Sequence, residues 1–138
     1  MRSLIFHANE FKTRLVKKSN RPAGIIPDKQ RSPEELLKNG LLIFLCIEKG
    51  DDEKKLELLY NEIEKAAKEV KTKNILISPF AHLSQNIAEH GTAKEYFKSL
   101  YDKTKAAGYK TDTAHFGYHK EVLLNIKGHP GSVRYREF

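Results

Sequence analysis

The chain has 138 residues, 39% hydrophobic and 31% charged, which fits one globular domain spanning 1–138 and excludes a disordered or fibrous chain. A single cysteine, Cys46, excludes an intramolecular disulfide or a thiolate cluster and fits a reducing cytoplasm, and no charge-free apolar stretch nears the roughly 20 residues needed to cross a bilayer. The formal net charge of +7 suits a polyanionic partner such as nucleic acid, although solvated lysines on helix faces produce the same figure.

Ser3 to His7 reads as a short first strand and Leu41 to Ile47 as a nearly continuous apolar strand buried on both faces. Between them, 17–33 is polar and holds three of the five prolines, so it reads as a mobile loop. Asp51 and Asp52 are plausible caps for an amphipathic helix whose apolar residues Leu56, Leu59, Ile63, Ala66, Ala67 and Val70 recur at intervals of three and four. Asn74 to Ile77 supplies a further strand, halted by Pro79, and Gln85 to Glu89 reads as a short helix broken at Gly91 and capped by Ser84. Thr92 and Glu95 have capping-box spacing before a second long helix, with Tyr96, Phe97, Leu100, Tyr101, Thr104 and Ala107 as its inward stripe and Gly108 as its terminator. Residues 109–126 hold enough aromatic and β-branched side chains for two strands, interrupted near Tyr118 to Glu121. The expectation is an α/β (α+β) domain: a mixed sheet of about five strands with two long helices on one face, the other face being covered by a second copy.

His82 follows a strand and a proline, which places it at a strand end, where open α/β sheets bind ligands. Lys120 is either a solvated lysine or a cation aimed at a phosphate or at the negative charge of a tetrahedral intermediate. Lys127 and His129 flank a turn marked by Gly128 and Pro130, which makes a cluster of His82, Lys120 and His129 conceivable. His115 and His119 have helical metal-ligand spacing, but Gly117 argues for an extended chain that separates them by roughly 13 Å, so neither a metal nor a cofactor is expected. No nucleophile elbow surrounds Ser84.

Ile77-Ser78-Pro79-Phe80-Ala81-His82-Leu83-Ser84 resembles a signature block of the amino-terminal editing domain of archaeal threonyl-tRNA synthetases. Phe116-Gly117-Tyr118-His119-Lys120 and Lys127-Gly128-His129-Pro130 resemble the family's other two blocks, in the same order, and Leu4 to His7 and Ile47 to Lys49 match as well. The resemblance implies a D-aminoacyl-tRNA deacylase-like fold, dimeric through its sheets, that removes L-serine from mischarged tRNA(Thr). It implies Lys120 and His82 as catalytic residues, and Ala81, Ile47, Phe116, Tyr118, His119 and His129 as substrate contacts. The implied partners are the seryl-tRNA 3′ end, a second copy, and the catalytic domain of the synthetase in cis or in trans. His119 stands where the family is expected to carry tyrosine, and Gly131-Ser132-Val133-Arg134 stands where it carries a glutamate. The competing functions are a free-standing D-aminoacyl-tRNA deacylase, whose Ser-Gln-x-Thr motif ends here in Ile87 and whose Gly-Pro motif is absent, and a tRNA-binding appendix without hydrolysis.

Overall fold

A computed structural model describes residues 1–21 and 23–138; Pro22, part of the polar loop expected over 17–33, lies outside the described residues. β1 (Arg2–Lys18) and β2 (Glu34–Cys46) form a long antiparallel ribbon. Both strands run well past the apolar runs that mark them in the sequence. Beyond His7, buried Phe11 and Thr13 alternate with exposed Lys12 and Arg14, a period of two that charged residues obscure.

β2 leads through α1 (Glu53–Glu69) to β3 (Asn74–Pro79), and β3 through α2 (His90–Ala106) to β4 (Lys110–Thr113), with both strand pairs parallel. β5 (Tyr118–Ile126) and β6 (Val133–Glu137) return antiparallel to the second and first parts of β1. The sheet has six strands, in the order β4-β3-β2-β1-β5 with β6 also on β1, against about five expected. The added strand is β6. The break between β4 and β5 falls at 114–117, not near Tyr118 to Glu121, which lie inside β5.

Leu56, Leu59 and Ile63 of α1 and Phe97 and Leu100 of α2 share one core with Ile5, Leu41, Ile43, Leu45, Ile75 and Ile77. Both helices therefore cover the same sheet face, the arrangement of a D-aminoacyl-tRNA deacylase-like fold. Asp52 caps α1 by accepting from the Lys55 amide at 2.9 Å, whereas Asp51 receives the Met1 amine at 2.6 Å and does not cap. No helix of the described residues is long and apolar enough to cross a membrane.

Three local expectations yield to tertiary contacts. Glu48 bridges Ile87, and the Ala88 amide donates to the Ile47 carbonyl at 2.9 Å, so the chain bends at 85–86, docks beside the end of β2 at Ile87 and Ala88, and forms no helix over 85–89. That anchor starts α2 at His90, with Glu89 as the cap residue, and Thr92 lies within the first turn instead of capping it. Ala107 is exposed outside the inward stripe, and Gly108 adopts φ 87°, which suits glycine just past a helix end.

The second sheet face is covered by the sheet itself. Phe11 pairs with Leu37 and Phe44 with Leu4, seven positions apart along β2 or roughly 23 Å if the strand were straight, yet the Phe11 and Phe44 rings are 5.9 Å apart. The ribbon must curl. The bend falls where pairing skips from Ala8–Gly40 to Glu10–Lys38, with Asn39 at φ 47°. The Lys127 ammonium donates to Asn9 Oδ1 at 2.6 Å and Asn39 Oδ1 at 3.2 Å, and Asn74 Nδ2 donates to the Asn39 carbonyl at 3.3 Å. Phe6, Phe11, Leu37, Leu42, Phe44 and Leu76 fill the curl as a second apolar cluster.

At Gly40 an added Cβ would lie 2.6 Å from the Asn74 carbonyl oxygen and 2.8 Å from its Cβ. Gly40→Ala is therefore expected to cost about 1–3 kcal/mol, read as a lower urea midpoint in equilibrium unfolding. An unchanged midpoint would show that the bend tolerates a side chain.

Candidate active site at the open end of the parallel strands

The C-terminal ends of β2 and β3 open into a cleft of about 500 Å³, with the start of β5 and the 114–117 turn as its opposite wall. Pro79 still pairs with Leu45, and the Phe80 amide donates to the Leu45 carbonyl at 2.9 Å. Phe80 stacks on Phe44 with ring centroids 4.4 Å apart, and His82 sits edge-on to Phe80 at 5.3 Å. His82 belongs to a short 3-10 turn, Ala81–Leu83, and is exposed to the cleft.

Ser84 ends this turn. Its hydroxyl donates to Glu48 and accepts from the Asn86 amide at 3.0 Å, so it tethers the turn to β2's end and caps no helix. Glu48 also accepts from the Met1 amine at 2.8 Å. The Ile47 carbonyl is already occupied by the Ala88 amide, while the Ala81 carbonyl accepts from the Ser84 amide at 3.4 Å and faces the Cys46 thiol at 3.8 Å.

Lys120 enters from β5. Its ammonium lies 3.3 Å and 3.2 Å from the two oxygens of Glu35, a β2 carboxylate whose side chain is 6% exposed. Glu35 Oε2 accepts from the Thr13 hydroxyl at 2.6 Å, and Oε1 accepts from both the amide and Nδ1–H of His115. His115 Nε2 accepts the Arg31 amide at 3.0 Å, which fixes the ring proton on Nδ1. Both ring nitrogens are therefore committed, and His115 offers no lone pair to a metal.

Burial opposes ionisation of Glu35, but the hydrogen bonds from Thr13 and His115 and the charge of Lys120 outweigh it and hold the carboxyl below its ordinary range. Burial lowers the Lys120 pKa, against the pull of Glu35. The result is a desolvated ammonium with a fixed direction. Two of its three N–H groups suffice for Glu35, which leaves one for a ligand in the cleft.

The remaining residues of the second block line the same wall. Phe116 packs edge-on against His90 and Phe97 at 5.5 and 4.7 Å, the Tyr118 hydroxyl donates to the Asp28 carbonyl at 2.8 Å, and His119 is exposed at the rim. Lys120, His82, Ala81, Ile47, Phe116, Tyr118 and His119 are thus brought together. His129 is not: its Nε2 lies 2.8 Å from His7 Nδ1, away from the cleft lining, so the conceivable cluster reduces to His82 and Lys120. Glu35 is the site residue that sequence reasoning missed, and His115, weighed there only as a metal ligand, is its hydrogen-bond partner. Glu35 sits in Pro33-Glu34-Glu35-Leu36-Leu37, where nothing separates it from exposed Glu34 until the strand's facing is known.

Three comparisons bear on this site. A family model described as the archaea-specific editing domain of threonyl-tRNA synthetase matches residues 1–138. The threonine–tRNA ligase of Thermococcus gammatolerans is 37% identical over 133 residues, covering 94% of this chain and 21% of the relative; that of Nanoarchaeum equitans is 33% identical, covering 94% and 20%. The chain thus spans about a fifth of the length of the curated relatives it matches. Among solved structures, the c-Myc DNA unwinding element binding protein superposes with a TM-score of 0.71 over 100% of this chain and 99% of that one, at 14% identity, a likeness of fold alone.

The Glu35 network sets an acid limit. A carboxyl held below its unfolded value contributes stability above that value and loses it as pH falls from about 4.5 through the lower folded value. Glu35→Gln is expected to destabilise the fold by about 3–5 kcal/mol at neutral pH, because Lys120 stays buried without its counter-charge. The gap to the parent should narrow below pH 4.5 in urea melts. A gap independent of pH would show that the charge of Glu35 is immaterial.

Proposed function

The chain belongs to the archaea-specific editing-domain family of threonyl-tRNA synthetase, and from that membership we propose that its cleft hydrolyses L-serine from mischarged tRNA(Thr). The observation that carries the reading is the Lys120 ammonium, desolvated and aimed by Glu35 into a cleft whose far wall holds His82. About 500 Å³ lies within the range of small-molecule sites and accommodates an aminoacylated nucleoside.

The need for such a site follows from serine's size. Serine lacks one methyl group of threonine, a difference worth only about 1–3 kcal/mol in a synthetic pocket, so a second, hydrolytic site must remove the errors. Water attacks the ester carbonyl, the carbonyl electron pair moves onto oxygen, and collapse of the tetrahedral intermediate expels the ribose oxygen, which takes up a proton. The free N–H of Lys120 orients the water or stabilises the oxyanion, where a preorganised donor in a water-poor site is most effective. The 2′-hydroxyl of the terminal adenosine assists the proton transfer. Among the described residues that line the cleft there is no carboxylate, and Glu35, buried behind Lys120, is fully engaged, which matches a mechanism with little side-chain base catalysis. His82 and the backbone around Ala81 hold the substrate, with Tyr118 and His119 bordering it.

The protein works in the cytoplasm, beside the catalytic domain of the synthetase in cis or in trans, and as a homodimer. Leu36 and Leu123, 52% and 54% exposed, flank Lys12 in register across β2, β1 and β5 and supply apolar surface for a second copy.

Purified protein offered seryl-, threonyl- and D-aminoacyl-tRNA is expected to release serine fastest. Preferential release of D-amino acids would move the function to a D-aminoacyl-tRNA deacylase, and tRNA binding without hydrolysis would make the chain a binding appendix. Lys120→Met is expected to slow seryl-tRNA hydrolysis by at least about tenfold with an unchanged circular dichroism spectrum. A parental rate would reduce Lys120 to a structural partner of Glu35.

A further inference from the structure

The end of β1 and the loop leading to β2 concentrate positive charge beside the cleft. Residues 15–32 include Lys17, Lys18, Arg21, Lys29 and Arg31 against one acid, Asp28. That acid is engaged, for its carboxylate accepts the Phe116 amide at 2.9 Å and pairs with Lys94. None of the five cations forms an ion pair among the described residues.

The segment is fastened along the Lys120 wall. The Ser19 amide donates to the Gly117 carbonyl at 2.7 Å and the Asp28 amide to the Phe116 carbonyl at 3.1 Å. Lys17 and Lys18 stand in register with His119 and Tyr118, and Ser19 and Arg21 reach the cleft mouth. Cations gathered on one rim whose only acid is already engaged repel one another and attract an anion of extended shape.

We propose that this rim binds the phosphodiester backbone of the single-stranded RNA 3′ end whose terminal nucleotide occupies the cleft. The inference rests on the editing reading, since an aminoacylated terminal nucleotide in the cleft leaves the preceding phosphates outside its mouth. Binding there is electrostatic and indifferent to base identity, each neutralised phosphate releasing condensed counterion. The rim thereby contributes affinity for the RNA and leaves the choice of amino acid to the cleft.

The test uses a fluorescein-labelled short single-stranded RNA ending in CCA, titrated by anisotropy over a salt series, with the parent chain and a Lys17→Ala/Lys18→Ala/Lys29→Ala variant. The slope of log affinity against log salt should become shallower by about 2, or about 0.7 for each cation removed. Hydrolysis of the seryl ester of adenosine, which carries no phosphate, should be equal in both proteins. Unchanged RNA affinity and slope in a variant with a parental thermal melt would overturn the proposal and return the rim to a solvated face or a protein contact. Failure of the parent to hydrolyse the adenosine ester would count against the editing reading, while the RNA slope still judges the rim.

Discussion

The Glu35 carboxylate accepts hydrogen bonds from the Thr13 hydroxyl, the amide and ring of His115 and the ammonium of Lys120, and so joins β1, β2, the 114–117 turn and β5 at one point. A buried carboxylate is costly unless every lone-pair direction is filled, and here each is. The ordering runs outward from it. Lys120 is aimed because Glu35 accepts from two of its N–H groups, and the turn bearing Phe116 and Tyr118 is fixed because His115 is held at both ring nitrogens. The loop of residues 25–31 follows, through the Arg31 amide on His115 and the Asp28 backbone on Phe116 and Tyr118.

The cleft exists because the β1–β2 ribbon is bent. A flat sheet would place Glu35 and the Phe80–Ser84 segment at opposite ends of β2, separated by most of the strand's length. Curling at Asn9 and Asn39 brings the second half of the ribbon over Phe44, and the aromatic contacts of Phe6, Phe11, Phe44 and Phe80 hold it there. Lys127, from the third of the family-like blocks, works at this bend and not at the cleft. Two of the three blocks thus build the site and the third shapes the sheet that carries it.

Much of this was legible in the residues. Apolar runs and helical spacing marked α1, the core of β2 and β3, and the place of His82 just beyond a strand end, because each rests on burial of contiguous side chains. The long extensions of β1 and β2 were hidden, since their outward positions hold charge and their pairing is decided by partners distant in sequence. Thr92 and Ser84 carry good local capping chemistry that tertiary hydrogen bonds near Glu48 and Ile47 override. Glu35 was invisible for a related reason: its burial depends on the curl, and its partners lie 22, 80 and 85 residues away.

The dual pairing of β1 also orders events as the chain is made. Its neighbours β5 and β6 come from the last part of the sequence, so closing them onto β1 carries the largest loop-closure entropy and is favoured only after the central parallel unit has formed. A nascent chain that has released only its first hundred residues can bury α1 against β2 and β3 and present His82, yet it lacks Lys120 and leaves Glu35 without its cation. The Lys120–Glu35 pair is therefore a late acquisition in the folding of this protein, gained when β5 and β6 zip onto β1.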